Sequence, residues 1–68
     1  MYLEGYMADE MIEQGSIIGD IEGGLWRVLE VTDEGLFLLM VPERADVVHT
    51  RSVTWRQFAT FGYELVFP

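Results

Sequence analysis

Six consecutive apolar residues, Leu36-Phe37-Leu38-Leu39-Met40-Val41, stand between Gly35 and Pro42 near the middle of the chain. No longer uninterrupted apolar run occurs, and six residues fall far short of the ~20 that cross a bilayer as a helix. Bounded by turn formers, the run reads as a strand that is apolar at every position. Such a strand should be covered on both faces, the inner one by the core and the outer one by a helix or a partner, because left exposed it would aggregate. The chain has 68 residues in which to arrange this, which allows one small domain spanning 1–68 and a single core.

The glycines punctuate the rest. Met7 and Met11, with Ala8 and Ile12 beside them, form an i, i+4 stripe that predicts a short amphipathic helix over Tyr6–Gln14, stopped by Gly15. Ser16–Glu22 and Leu25–Thr32 read as two strands joined by a two-residue hairpin turn at Gly23-Gly24. Asp33-Glu34-Gly35 supplies a second tight turn, with Gly35 able to take positive φ in a three-residue hairpin, and Leu36–Val41 follows as the third strand. After a loop over Pro42–Asp46, Val47–Val53 is a polar-apolar strand suited to an edge. Thr54-Trp55-Arg56-Gln57 matches a capping box and should open a helical turn ending at Gly62, before a last strand over Tyr63–Phe67. The expected core comprises Trp26 or Val28 with Leu36, Leu38, Trp55, Phe58 and Leu65, to which Phe61 and Phe67 are added as bulky closing side chains.

The order strand, strand, strand, strand, short helix, strand resembles the small SH3-like barrel, whose fourth and fifth strands are joined by one helical turn. The resemblance covers roughly residues 16–67 and lies in topology. The Ala-Leu-Tyr-Asp-Tyr-type signature of peptide-binding SH3 domains is absent, so their proline-rich ligand does not carry over. The expected fold is therefore mainly β (α+β): a small five-stranded SH3-like barrel, or a twisted antiparallel sheet, with a short N-terminal helix and a helical turn before the last strand.

Little in the chain promises catalysis. With no cysteine there is no disulfide framework, thiolate metal site or cysteine nucleophile, which favours an intracellular, cytoplasmic setting. The N-terminus carries Glu4, Asp9 and Glu10 where a secretory leader would be basic. His49, the single histidine, has no serine or acid at helical spacing, and reads as a structural or surface residue. The acids form neither a calcium-loop run nor a histidine–carboxylate cluster, so no metal is expected. Gly15, Gly19, Gly23 and Gly24 are turn residues and make no phosphate-binding fingerprint. A non-enzyme without a cofactor is the expectation.

Charge is the feature that goes beyond a small β domain. Twelve acids face four arginines and no lysine, for a net charge of −8, which opposes direct binding to nucleic acid or anionic membrane. Residues 1–24 hold six of the acids and no base, whereas residues 25–68 hold six acids and all four arginines. A solvated face kept for solubility accounts for this blandly. Functionally, the carboxylates of Glu4, Asp9, Glu10, Glu13, Asp20, Glu22, Asp33 and Glu34, with Tyr2 and Tyr6 as amphipathic rings beside them, would satisfy the arginines and lysines of a basic nucleic-acid-binding groove. By size, acidity and lack of catalytic residues the chain resembles the small inhibitors encoded by phages and mobile elements, anti-CRISPR proteins among them. That resemblance implies stoichiometric inhibition of a nuclease or a CRISPR–Cas subunit in the cytoplasm of a bacterial host. The alternative is a β-barrel adaptor or assembly module acting through hydrophobic and edge-strand contacts, a homodimer included, since half of the residues are hydrophobic.

Overall fold

The structure is a computed structural model in which residues 11–41 and 48–68 are described. Within them the chain forms β1 (Ile17–Gly19), β2 (Leu25–Val31), β3 (Gly35–Val41), β4 (Thr50–Thr54), the helix α1 (Trp55–Thr60) and β5 (Glu64–Phe67). All neighbouring strands are antiparallel and make one sheet in the order β4-β3-β2-β1-β5. The fold is thus mainly β, with the expected element order. It is not closed into a barrel: β4 and β5 occupy the two edges, so of the two architectures expected from the sequence the open twisted sheet is the one present.

The inner face of the sheet carries the core. Ile18, Trp26, Val28, Leu36, Leu38 and Val53 are buried there, with Ile12 and Phe58 closing the cluster from outside the sheet. Register explains the selection, since Leu36 lies opposite Val53, and Val28 opposite Leu38, and side chains two apart on a strand share a face. Trp55, Tyr63 and Leu65 pack against this cluster half-buried. Two expected core members are excluded: Phe61 is 55% exposed and Phe67 64%. Phe61 follows the last residue of α1, where the chain has left the helix face that Phe58 buries, and Phe67 is the final residue of an edge strand.

The capping box at α1 forms as its sequence predicts. Gln57 donates its backbone N–H to Thr54 Oγ1 (3.0 Å) and accepts the Thr54 N–H on Oε1 (2.9 Å), an arrangement typically worth about 1 kcal/mol. The turn ends with Gly62 at φ +77°, the left-handed conformation in which glycine carries no Cβ penalty. Phe58 is the one buried residue of α1 and stacks on Tyr63, with ring centroids 5.9 Å apart.

Several boundaries differ from the sequence expectation. The part of the predicted N-terminal helix that is described, residues 11–14, is not helical. Met11 is exposed and Ile12 buried, and Glu13 donates its N–H to Ser16 Oγ in a turn, with Gly15 at φ +94° ending that turn rather than a helix; the remainder of that helix lies outside the described residues. β1 stops at Gly19, so Asp20 and Glu22 sit in a five-residue turn and not on a strand. β4 begins at Thr50, which leaves His49 exposed ahead of it. Gly35 has no positive φ. Finally, β3 is covered on one face and only in part on the other: Leu36 and Leu38 are buried, whereas on the opposite face Leu39 and Val41 are half-buried and Phe37 is 38% exposed.

Candidate functional site

The two hairpin turns that bear candidate acids are built by hydroxyl and carboxylate acceptors close in sequence. At the β2–β3 turn, Thr32 Oγ1 accepts the N–H groups of Glu34 (3.2 Å) and Gly35 (3.1 Å), while the Thr32 N–H donates to the Gly35 carbonyl (2.8 Å). Threonine in this role satisfies the backbone of the turn from within. Asp33 and Glu34 are thereby held at its tip with their carboxylates exposed. Beside them an open groove of about 450 Å³ is walled by Glu30, Thr32, Glu34, Phe37, Ser52 and Thr54.

At the β1–β2 turn Asp20 has a different task. Its Oδ1 accepts the N–H groups of Gly24 (2.8 Å) and Glu22 (2.9 Å), and its Oδ2 accepts the indole N–H of Trp26 (3.0 Å). These bonds favour the ionised carboxyl and hold it below the usual carboxylate range. The Trp26 N–H contributes most, then the Gly24 N–H, with the Arg51 charge also helping and partial burial opposing. Asp20 is therefore occupied within the fold, organising the turn and fixing the ring of Trp26.

Over the other side of that ring lies Arg51. Its guanidinium carbon is 4.2 Å from the Trp26 centroid and it donates to Tyr63 Oη, so a residue of β4 bridges to the segment just before β5. Asp20, Ile21, Glu22, Arg51, Phe61 and Tyr63 together enclose a shallow pocket of about 270 Å³. Ile21 is 80% exposed at its rim and packs against Gly62, where an added Cβ would lie 3.2 Å from Ile21 Cδ1.

No protein-family model, curated protein or solved structure matches the chain. The surface must be interpreted from its own chemistry.

Of the acids and tyrosines singled out in the sequence, Tyr2, Glu4, Tyr6, Asp9 and Glu10 lie outside the described residues. Glu13, Glu22, Asp33 and Glu34 are exposed. They are not brought together on one patch: Glu22 belongs to the turn at one end of β2 and Asp33-Glu34 to the turn at the other. Seven residues of β2 separate the two by about 20 Å at ~3.3 Å per residue. Sequence reasoning missed Glu30 on the groove beside the β2–β3 turn, and Ile21, Arg51 and the pocket those two help define. A signal for Ile21 was present, because an isoleucine inside Gly19-Asp20-Ile21-Glu22-Gly23-Gly24 has no strand neighbour to pack against. Arg51 carried none, as its contacts to Trp26 and Tyr63 are made across the fold. Among the described residues no three histidine, aspartate or glutamate side chains gather as a metal site would need, and no helix is long and apolar enough to cross a membrane.

Proposed function

We propose that the protein acts without catalysis, as an acidic inhibitor that docks on a basic nucleic-acid-binding surface of another protein and takes the place of phosphate. One observation carries this: of seven acids among the described residues, six (Glu13, Glu22, Glu30, Asp33, Glu34 and Glu64) are exposed, and only Asp20 has its carboxylate occupied by the fold. Exposed like charges repel and lower stability without contributing to packing, whereas a cationic partner turns the same charges into attraction. With Glu22 on the turn at one end of β2 and Asp33 and Glu34 on the turn at the other, about 20 Å apart, they suit an extended basic surface better than a single cationic residue. A CRISPR–Cas subunit in a bacterial cytoplasm is the kind of target this reading names, and the inhibitors that phages encode are its functional class.

The adaptor reading is favoured by a separate feature, the exposure of Leu25, Phe37, Val66 and Phe67, which an assembly interface or a second copy of the chain would cover. The two readings separate experimentally. A partner is captured from host lysate, identified, and assayed for binding to DNA or RNA with the protein added in steps. Inhibition by mimicry predicts displacement of the nucleic acid, relief by salt as the screening length falls from about 10 Å at 0.1 M to about 3 Å at 1 M, and loss of binding when Asp9, Glu10 and Glu13 are reversed to lysine. Simultaneous occupancy by protein and nucleic acid, indifferent to salt, refutes mimicry and leaves the adaptor.

A further inference from the structure

The pocket between the β1–β2 turn and the segment after α1 displays two large exposed apolar side chains beside an exposed carboxylate. Ile21 is 80% and Phe61 55% exposed; Ile21 lies beside Gly62, where an added Cβ would stand 3.2 Å from Ile21 Cδ1, and the backbone of Phe61 is tied into the cap of α1 by its N–H to the Gln57 carbonyl at 2.8 Å. Two large apolar side chains exposed together on one pocket resemble the anchors of protein interfaces more than scattered single exposures.

Charge selects the occupant. Arg51 and Asp20 act on each other, and each is further engaged, Arg51 over Trp26 and on Tyr63, Asp20 by its three donors. Their opposite charges cancel to a first approximation. Glu22 remains as the exposed carboxylate on the pocket wall, in a chain of net charge −8. An anionic occupant would meet Glu22 and the field of the whole protein, and Arg51 is already held by its own contacts. A cationic one is attracted by both, and a guanidinium can in addition lie against the exposed ring of Phe61.

We infer that this pocket anchors the protein partner by receiving an arginine or lysine together with an adjacent apolar side chain, the cation meeting Glu22 and the apolar group filling the space between Ile21, Phe61 and Tyr63. This deepens the docking function proposed above and rests on it, by naming the residues of the partner that matter most. The salt-sensitive array of carboxylates then governs encounter, and the pocket governs residence.

The probe is acetyl-leucyl-arginine amide, titrated to tens of millimolar against the isotopically labelled full chain and followed by amide shifts, with acetyl-leucyl-glutamine amide and acetyl-leucyl-glutamate amide in parallel. The expected result is saturable shifts confined to Gly19–Gly24, Arg51 and Phe61–Glu64. They should be strongest with arginine and absent with glutamate. Glu22→Gln and Phe61→Ser, both at exposed positions and each checked for wild-type amide dispersion, should each weaken binding at least tenfold, while Asp33→Asn should not. Equal shifts with all three dipeptides, shifts centred on Thr32–Gly35, or indifference to Glu22→Gln and Phe61→Ser overturns the pocket. Displacement of nucleic acid from the captured partner tests the parent function independently: displacement that survives Phe61→Ser removes the pocket and keeps the inhibitor, whereas absence of displacement by the wild-type chain removes the inhibitor itself.

Discussion

Gly35→Ala is the substitution whose outcome separates two roles that glycine can play in a hairpin. The sequence suggests a glycine needed for its freedom at positive φ, but Gly35 is not in that region. What it permits is contact: a Cβ at Gly35 would lie 2.0 Å from the Val53 carbonyl oxygen, 2.7 Å from Thr54 Cα and 2.8 Å from the Val53 carbonyl carbon. Carbon–oxygen contacts between strands lie at about 3.3 Å or more, so the β4 backbone must retreat by about 1.3 Å. These are backbone atoms, and no rotamer change relieves them. Retreat disturbs the bond from the Trp55 N–H to the Glu34 carbonyl (3.0 Å) and separates the buried pair Leu36 and Val53. A lost hydrogen bond costs about 1 kcal/mol and forced repacking about 1–3 kcal/mol, so the total is about 2–4 kcal/mol. A domain of this size is stable by about 3–10 kcal/mol, which makes the loss large. Urea unfolding followed by tryptophan fluorescence, with a slope near 1 kcal/mol/M, should place the midpoint of the variant about 2–4 M lower. Glycine-to-alanine changes at sites of ordinary φ with free space instead stabilise by about 0.4–1 kcal/mol through the unfolded chain. A Gly35→Ala midpoint equal to or above wild type would therefore refute the close approach of β4 and the register that creates it.

Phe58→Ala removes the single buried side chain of α1 and its stacking on Tyr63; a loss of about 3–5 kcal/mol is expected, read as a collapsed thermal transition, and a melting point within a degree or two of wild type would show that α1 does not close the core. Asp20→Asn tests the carboxylate that three donors hold ionised. Because the folded state keeps this carboxyl below its usual value, its contribution is fully present above the unfolded value of about 3.9 and is lost as pH falls through the lower folded value. Wild type should exceed Asp20→Asn in stability at pH 7, and the gap should close as pH is lowered from about 4; a gap independent of pH would assign the effect to shape instead of charge.

Legibility in the sequence followed the range of the interactions involved. The capping box at Thr54–Gln57 and the β2–β3 turn were readable because their hydrogen bonds join residues two or three apart. The core was largely readable too, since alternation on β2 and β3 places Trp26, Val28, Leu36 and Leu38 on one face. Errors gathered where a distant group settles the local conformation. Ser16–Glu22 has the texture of a strand, but three donors converging on Asp20 bend it into a turn after Gly19, and the most distant of them is the indole of Trp26. Whether Phe61 would face inward depended on where α1 stops, and it stops one residue before Phe61.

The same distinction bears on the candidate surface. Acids were identified one by one from composition, and composition carries no information about which of them share a face. β2 decides that question by its length, because a hairpin turn at each end of a seven-residue strand cannot bring Glu22 and Glu34 into a single compact cluster. In the docking function proposed above, two separated acidic turns would address a partner at two places; one of them, bearing Ile21 and Glu22, is joined by Phe61 and Tyr63 from the far end of the chain into a pocket. Specificity in that proposed arrangement would come from the turn that also offers shape. The other turn, with Asp33 and Glu34 exposed on a threonine-built loop, would add long-range attraction whose individual contacts are worth about 0–1 kcal/mol each. Charge reversal at Asp33 and Glu34 should consequently slow association without much changing dissociation, and substitution in the pocket should do the opposite.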